Sequence, residues 1–384
     1  MFDRVALSCS RGVGREDLVF GWFIKGVILS RSSSVEAPPS LEAIGLAVEA
    51  RIQEVVSREL VRWREVDEVL VEPLEQLSKV LLAGGKRLRP AFCYWAYVGA
   101  GGDPDSKEVI DAGAALEFLH TFALIHDDIM DGSFTRRGQE AVHVTFASKH
   151  RDARWHGESR RFGDGVGVLV GDLAFVYADL MLKGANRSSQ DVFTELRLEV
   201  NMGQYLDISG TARSMLTEEY ARKVAIYKSG KYTVERPLHL GAALVGRLEA
   251  FSRQLSLYGL PLGEAFQLRD DVLGVFGDPS ITKKPVGEDL REGKPTLLVA
   301  LASQVAREKG SGRILESLGH PDMDEKTVLE LQELIIDTGA LAKVEERISL
   351  LVDDALLALS VTSLDPEAKK ELSELAMFVA HRKG

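Results

Sequence analysis

The stretch LIHDDIMDGSFTRRG, residues 124–138, gathers charged side chains of both signs. Asp127 and Asp131 are four positions apart, so on a helix they lie one turn apart and about 40° around the axis, with Asp128 beside them. Carboxylates that can share one ion favour hard divalent cations, above all Mg²⁺, which is commonly shared with phosphate groups. The stretch therefore predicts a metal and phosphate site.

A second acidic pair follows an apolar run in FQLRDDVLGVFGD, where Asp270 and Asp271 repeat the first arrangement. The fifth position of this motif is Gly274, so this side is expected to bind metal through fewer carboxylates. Either motif alone could be a solvated helix end. Acidic clusters at a helix C-terminus oppose the helix dipole, however, and two of them favour a pair of unequal metal sites.

A glycine-rich basic turn precedes the acidic motifs. In AGGKRLRPAF two glycines stand before Lys86, Arg87 and Arg89, which allows phosphate oxygens to approach closely. Arginine binds such oxygens through a planar fork and lysine as a point charge. The spacing of a Walker loop is missing, and a basic turn in solvent explains this stretch alone equally well.

Arg136 and Arg137 come shortly after the first acidic cluster. A divalent ion held by aspartates and a guanidinium fork arriving after the glycine bend could bind one diphosphate from two sides. Most isolated lysines are solubility charges. Lys228, Lys284 and Lys294 are candidates for phosphate binding because they lie in or near motifs.

The composition restricts the class of protein. The chain has 384 residues, 45% of them hydrophobic, and can bury a large core. Its formal net charge of -11 excludes a general attraction to nucleic acid or anionic lipid. Cys9 and Cys93 form no disulfide or zinc pattern, and the apolar stretch at residues 18–29 is too short to span a bilayer. A cytoplasmic protein without a transmembrane segment is predicted.

Apolar residues recur at helical spacing from Leu41 onward, as in LEAIGLAVEARIQEVVSREL. Strand-like alternation is nearly absent, and Gly, Pro and Asn separate the helical runs. Residues 41–384 are therefore predicted to form one all-α domain, whose apolar helices position the aspartate pairs. Residues 1–40 lack this period, end in a Ser/Pro-rich stretch and are interpreted as a flexible extension.

Six motifs in a fixed order carry a resemblance to a known family. They are GGKRLRP, LIHDDIMDGSFTRRG, LVGDLAF, GQYLDI, YKSGKYT and FQLRDDVLGVFGD. From about residue 45 to the C-terminus the sequence resembles the trans-type polyprenyl diphosphate synthases, most closely the geranylgeranyl diphosphate synthases. The resemblance implies an isoprenoid synthase-type helical bundle around a deep central cavity. It also implies a homodimer, with the two aspartate motifs facing each other across the cavity mouth.

The resemblance further implies roles for individual residues. Magnesium, about three ions with Mn²⁺ as a substitute, would be bound by Asp127, Asp128, Asp131, Asp270 and Asp271. Isopentenyl diphosphate would contact Gly85, Lys86, Arg89, His120 and Arg137. The allylic diphosphate, a C5, C10 or C15 compound, would contact Arg136, Lys228, Lys284 and Lys294. Ser229 and Gln267 match the polar pair beside the reacting carbons. From its residue type alone, His120 would be interpreted as a core histidine.

The residue types fit this chemistry. Ionisation of an allylic diphosphate creates a carbocation and a leaving group of about three negative charges, which Mg²⁺ and basic side chains stabilise. No protein nucleophile is required. The isopentenyl double bond attacks the cation, a proton is lost and the product is one isoprene unit longer. Apolar walls must exclude the water that would quench the cation.

Product length is expected to depend on the helix that leads to Asp127. Ala123 lies one turn beneath this aspartate and Leu119 two turns beneath, with Phe122 to the side. An aromatic residue followed by a small one before the first aspartate resembles the enzymes that form C20 products. Geranylgeranyl diphosphate is therefore favoured, with C15 and C25 products as the nearest alternatives.

Two other classes remain open. A terpene cyclase shares the DDxxD motif but needs an Asn/Ser/Glu triad opposite it, where this sequence has Asp270 and Asp271. A non-catalytic subunit of a heteromeric synthase usually lacks a metal or substrate motif, whereas only the position of Gly274 departs here. Both alternatives are less favoured than an active synthase.

Overall fold

The computed structural model describes residues 36–279, 286–310, 312–320 and 322–382, and these residues are almost entirely helical. The α-helices are α1 Pro39–Arg64, α2 Val71–Leu82, α3 Leu88–Gly99, α4 Lys107–Asp131, α5 Val142–Asp152, α6 Ser159–Met181, α7 Arg187–Ala212, α8 Glu218–Val224, α9 Arg236–Leu244, α10 Leu248–Phe276, α11 Glu288–Glu292, α12 Leu297–Glu308, α13 Glu325–Asp337, α14 Ala340–Ser360 and α15 Pro366–His381. A π-helical segment, Ala225–Glu235, joins α8 to α9, and short 3₁₀ turns span Glu68–Leu70 and Gly312–Ser317.

Helix α4 is the central element that carries the first acidic motif. Ser106 caps its N-terminus by accepting a hydrogen bond from the Glu108 backbone, and Gly132, with φ +68°, ends it directly after Asp131. Its apolar face packs against α1, α3 and α6. Among the described residues, α4 alone is long and apolar enough to cross a membrane, but 67% of its most apolar window is buried, as in a core helix.

A two-stranded hairpin follows α4 and bends the chain back over the end of that helix. Thr135–Arg136 and Gln139–Glu140 pair antiparallel. Arg137 and Gly138 at the turn both have positive φ, +54° and +76°, which is the backbone geometry of a tight hairpin turn. This turn brings Arg136 to the acidic motif.

Helix α10 carries the second acidic motif on the opposite side of the bundle. It packs against the π-helical segment and against α14, while α7 contacts the other face of the π-helical segment. Arg269 ties α10 to the C-terminal part of the chain through Glu345, at 2.7 Å, and the Ala380 carbonyl. The prediction of an all-α bundle is confirmed. Helix α1 begins at Pro39, and the extension assigned to residues 1–40 lies mostly outside the described residues.

Candidate active site

Both aspartate motifs line one cavity, which has a volume of about 410 Å³. Most of the residues singled out from the sequence lie on its wall, namely Arg89, His120, Phe122, Ala123, Asp127, Arg136, Lys228, Ser229, Gln267, Asp270, Asp271 and Lys294. Five others lie around it without forming its surface: Gly85, Lys86, Asp128, Asp131 and Arg137. Leu119 is fully buried and does not line the cavity. Lys284 lies outside the described residues.

Two cations and an amide, from three different elements, approach the carboxylate of Asp127. Lys228 in the π-helical segment lies 3.0 Å away, Gln204 on α7 donates a hydrogen bond at 2.9 Å, and Arg136 lies at 3.4 Å. Arg136 also donates from Nε to Asp128 at 2.7 Å. Burial alone would raise the pKa of Asp127, but Lys228 and its neighbouring cations outweigh burial and hold the pKa below its usual value.

Two lysines connect the first acidic motif to the rest of the wall. Lys228 Nζ lies 2.5 Å from the Asp207 carboxylate as well as 3.0 Å from Asp127. Lys294 Nζ lies 3.0 Å from Asp131 and 2.6 Å from Glu292. Burial opposes the charged form of both lysines, but the acidic groups around them raise the pKa of each above its usual value. Both lysines are therefore charged at neutral pH.

The second acidic motif is held differently. Arg382 donates to Asp270 at 2.6 Å and lies over the ring of Phe266, while Gln267 donates to Asp271 at 2.7 Å. Burial, and next the charge of Asp289, raise the pKa of Asp271 well above its usual range. The two walls are therefore electrostatically unequal, with the pKa of Asp127 lowered and that of Asp271 raised.

The glycine at the fifth position of the second motif has a steric reason. A Cβ placed on Gly274 would lie 2.0 Å from Oδ2 of Asp289, so the carboxylate of Asp289 fills the space that a side chain would need. Gly274 and Asp289 both line the cavity. A carboxylate is thus present beside this wall although the motif itself lacks its third aspartate.

The basic turn and His120 form a second region beside the acidic walls. Arg89 donates to Thr233 at 2.9 Å and lies over the ring of Tyr232, whose hydroxyl lies 2.5 Å from Nδ1 of His120. Burial, then the charges of Arg89 and its neighbours, lower the pKa of His120 well below its usual value, so its ring is neutral. Arg137 donates to the carbonyl of Gly84.

Lys86 and Arg87 are adjacent in sequence but differ in environment. Lys86 Nζ lies 5.4 Å from the ring centroid of Phe378, at the edge of the site. Arg87 turns into the protein, where it pairs with Glu117 and, at 2.9 Å, with Glu49. Of the basic residues in this turn, Arg89 lines the cavity, whereas Arg87 is held inside the protein by two glutamates.

The lower part of the cavity is apolar. Phe122 lies on its wall with its ring 4.6 Å from that of His126 and 4.8 Å from that of Phe175, measured between centroids. Ala123 lines the cavity next to it, and Val200 on α7 lines it too. An apolar tail attached to a diphosphate at Asp127 would meet Phe122 about one turn of α4 below.

The donor set fits Mg²⁺ bound together with a diphosphate. Within the described part of the chain, no three His, Cys, Asp or Glu side chains converge closely enough to hold a metal ion by themselves. The candidate donors are all carboxylate oxygens, the ligands that Mg²⁺ prefers; Asp127, Asp270 and Asp271 line the cavity, and Asp128 and Asp131 lie beside it. An ion here would complete its coordination with water and ligand oxygens.

Sequence reasoning missed five residues that contact the site. Gln204 and Asp207 stand in the quoted motif GQYLDI, where their spacing of three places both on one helix face, so the motif carried a usable signal. Tyr232 stands in YKSGKYT. Asp289 and Arg382 reach the site only through the tertiary fold, and no local pattern marks them.

The comparisons with known proteins agree with this geometry. The family model for the polyprenyl synthetases matches residues 71–335. The geranylfarnesyl diphosphate synthase of Aeropyrum pernix is 32% identical over 79% of this chain and 92% of that protein. The geranylgeranyl diphosphate synthase of Saccharolobus solfataricus is 31% identical over 81% of this chain and 90% of its own length.

A solved structure of a related enzyme is also similar to this chain. The geranylgeranyl pyrophosphate synthase of Corynebacterium glutamicum, complexed with isoprenyl diphosphate and magnesium, superposes with a TM-score of 0.85 at 36% identity and covers 89% of this chain and 99% of its own. The fold and site thus define a helical enzyme that acts on diphosphates with a divalent metal. The chain belongs to the polyprenyl synthetase family, whose members are Mg²⁺-dependent trans-prenyltransferases.

Proposed function

We propose that this protein condenses isopentenyl diphosphate with an allylic diphosphate and releases geranylgeranyl diphosphate, the C20 product. The observation that carries the proposal is the shared cavity, whose wall includes Asp127, Asp270 and Asp271 together with the apolar side chains of Phe122, Ala123 and Val200. The relatives named above form C20 and C25 products. Products of C15 and C25 are the nearest alternatives.

The allylic diphosphate is proposed to lie between the two acidic walls. Mg²⁺, when bound there, neutralises the diphosphate and makes it a better leaving group. Lys228, Arg136 and Lys294 stabilise the negative charge that develops on it, since all three already lie beside Asp127 or Asp131. Lys284, outside the described residues, is assigned to the same group by the family resemblance alone.

Isopentenyl diphosphate is proposed to bind beside the basic turn. Lys86, Arg89 and Arg137 supply the positive charge that binds its diphosphate. Gly85 has no side chain, so Arg137 can lie close to the turn, with its Nη2 only 3.1 Å from where a Cβ on residue 85 would be. His120 is neutral and can donate or accept one hydrogen bond. With isopentenyl diphosphate bound in this way, its nucleophilic double bond is proposed to lie next to the allylic carbon.

The carbocation is proposed to form beside Ser229 and Gln267. Both line the cavity, and Gln267 is oriented by its hydrogen bond to Asp271 at 2.7 Å. Their oxygen atoms stabilise positive charge without acting as nucleophiles, and the apolar wall around Phe122 excludes water. Asp127, Asp131 and Asp270 are assigned to the metal, with Asp128 and Asp271 supporting them, and about three ions are expected, with Mn²⁺ as a substitute.

A homodimer is part of the same proposal. Helices α6 and α7 expose apolar side chains between 42% and 62%, among them Leu169, Val176, Leu180, Leu198, Met202 and Tyr205. Exposed apolar side chains at this density are candidates for an interaction surface. A second copy of the chain would cover this face.

The cytoplasmic location predicted from the sequence is retained, as α4 is largely buried.

The test is product analysis of the purified protein given isopentenyl diphosphate, Mg²⁺ and C5, C10 or C15 starters. Mass analysis is expected to show a C20 diphosphate as the main product. A terpene cyclase would consume the starter without lengthening it, and a non-catalytic subunit would leave both substrates unchanged. Either result would refute the proposal, whereas a C15 or C25 product would correct only its length.

Phe122→Ala is expected to lengthen the main product by at least one isoprene unit. The ring is 9% exposed and lines the cavity, so its removal enlarges the apolar space available to a longer tail. The measurement is the product distribution by mass with a fixed C15 starter. Phe162→Ala, which removes an aromatic ring packed against His150 on α5, should leave the distribution unchanged. An unchanged distribution for Phe122→Ala would refute the assignment of this wall.

The affinity for isopentenyl diphosphate is expected to fall above about pH 8. Burial, then the nearby charge of Arg382, lower the pKa of Lys86 to about 8. Below that pH the ammonium is charged and can bind diphosphate, whereas above it kcat/KM for isopentenyl diphosphate should fall, approaching tenfold per pH unit. Lys86→Arg keeps its charge, so its profile should stay flat to higher pH. An identical fall in both proteins would contradict this assignment.

A further inference from the structure

The segment that carries Lys228 and Ser229 has unusual backbone geometry. Residues Ala225–Glu235 form a π-helix, and the amide of Arg236 still bonds five residues back, to the carbonyl of Lys231. Segments of this kind are rare and their hydrogen bonds are poorer than those of an α-helix, so neighbouring elements must hold them in place. The position of Lys228 therefore depends on the elements that contact this segment.

On one side, α7 touches the backbone of this segment at Gly203. A Cβ placed on Gly203 would lie 2.3 Å from the amide nitrogen of Lys228 and 2.4 Å from the carbonyl carbon of Tyr227. These are main-chain atoms, which cannot rotate out of the way. Only glycine at position 203 allows the two backbones to approach this closely.

On the other side, α10 touches the same segment two residues further on. A Cβ on Gly263 would lie 2.5 Å from the carbonyl oxygen of Gly230, and a Cβ on Gly230 would lie 3.0 Å from the carbonyl carbon of Gly263. The backbone around Lys228 and Ser229 is thus held between α7 and α10 by glycine contacts on both sides.

The charged end of Lys228 depends on this backbone position. Its Nζ lies between two carboxylates, 3.0 Å from Asp127 on α4 and 2.5 Å from Asp207 on α7. Asp207 follows Gly203 by one turn on α7, so this helix fixes both the main chain and the side chain of Lys228. Ser229 lines the cavity next to it.

We propose that Gly203, Gly230 and Gly263 are positioning residues that clamp the π-helical segment and so set where Lys228 and Ser229 meet the substrate. The inference rests on the role assigned to Lys228 under the proposed function. It explains why glycine stands in both of the quoted motifs GQYLDI and YKSGKYT. None of the three glycines contacts substrate through a side chain.

Gly203→Ala is the main test. The added Cβ would lie 2.3 Å from the amide nitrogen of Lys228, and relief of this clash requires the two backbones to separate by roughly 1 Å. A shift of this size at a catalytic cation is expected to lower kcat roughly a hundredfold. The KM for isopentenyl diphosphate should change less than kcat, because Lys86, Arg89 and His120 lie on other elements, and Arg89 and His120 contact the segment only near its far end, at Thr233 and Tyr232.

Two further variants keep the test informative. Gly163→Ala is the matched control, since its Cβ would lie 2.2 Å from the carbonyl oxygen of His143, between α6 and α5, where no site residue stands. It should lose thermal stability but keep kcat per folded molecule within about threefold. Gly230→Ala, with its milder 3.0 Å contact, should fold and lower kcat roughly tenfold even if Gly203→Ala does not fold.

A double-variant cycle separates positioning from general destabilisation. If Gly203 acts through Lys228, Gly203→Ala should add less than about threefold to the loss already caused by Lys228→Ala. Full additivity, or kinetics for Gly203→Ala and Gly230→Ala that match Gly163→Ala, would overturn the clamp. A fully active Lys228→Ala would instead overturn the role of Lys228 in the proposed function.

Discussion

Turnover of the Asp127→Ala variant is expected to fall about a thousandfold or more, because this carboxylate is the proposed metal ligand and also pairs with the cations around it. Lys228, Gln204 and Arg136 approach it from three different elements. Its loss removes a proposed metal ligand and leaves Lys228 and Arg136 without the carboxylate that both contact. The measurement is kcat at saturating substrates over a range of Mg²⁺ concentrations.

A matched control for this variant is Asp191→Ala. Asp191 is also an aspartate in an ion pair, with Arg187 at 2.8 Å, but its side chain is 58% exposed and lies at the start of α7, away from the cavity. Its turnover should remain within about twofold of the natural protein, because exposed ion pairs contribute little. Near-normal rates for Asp127→Ala would remove this residue from the metal site.

The position of the acidic motifs could be predicted from the sequence because it depends on local rules. A spacing of four places Asp127 and Asp131 on one helix face, and Gly132 directly after them ends the helix. The glycine bend that returns Arg136 to the acidic motif was visible for the same reason. In the structure Gly132, with φ +68°, forms that bend, and a separate turn at Arg137 and Gly138 follows Arg136.

The partners of these residues could not be predicted, since they come together only through the tertiary fold. Asp270 pairs with Arg382, which is 112 positions away in the chain. Asp289 fills the space beside Gly274, so the glycine that looked like a missing ligand is required by a carboxylate from α11. Single-residue patterns contain no information about such contacts.

Residue type alone also failed to separate the basic residues of GGKRLRP. Lys86, Arg87 and Arg89 all suit phosphate, yet Arg87 is only 5% exposed and faces the protein interior. Its backbone is left-handed, with φ +49°, which points the side chain away from its neighbours. Two glutamates, one from α1 and one from α4, pair with Arg87 there and give it a structural role.

Arg87→Met is expected to lower the free energy of unfolding by about 3–5 kcal/mol, the usual cost of breaking a buried ion pair from one side. Arg87 pairs with Glu117, which is 2% exposed, and also donates to Glu49 at 2.9 Å and to the carbonyl of Leu81 at 2.7 Å. Methionine fills similar volume but leaves the Glu117 carboxylate buried without its guanidinium. Denaturant unfolding of the purified variant measures the loss.

The second variant of this experiment is Arg87→Met combined with Glu117→Gln, which removes the uncompensated charge and should recover a large part of the lost stability. Arg187→Met is the surface control, because Arg187 is 86% exposed and its partner Asp191, at 2.8 Å, is 58% exposed, so its cost should stay below about 1 kcal/mol. If Arg87 bound phosphate instead, Arg87→Met would raise the KM for isopentenyl diphosphate and leave the unfolding curve unchanged. The buried pair with Glu117 predicts the opposite result, a large loss of stability in a protein whose folded fraction still binds this substrate.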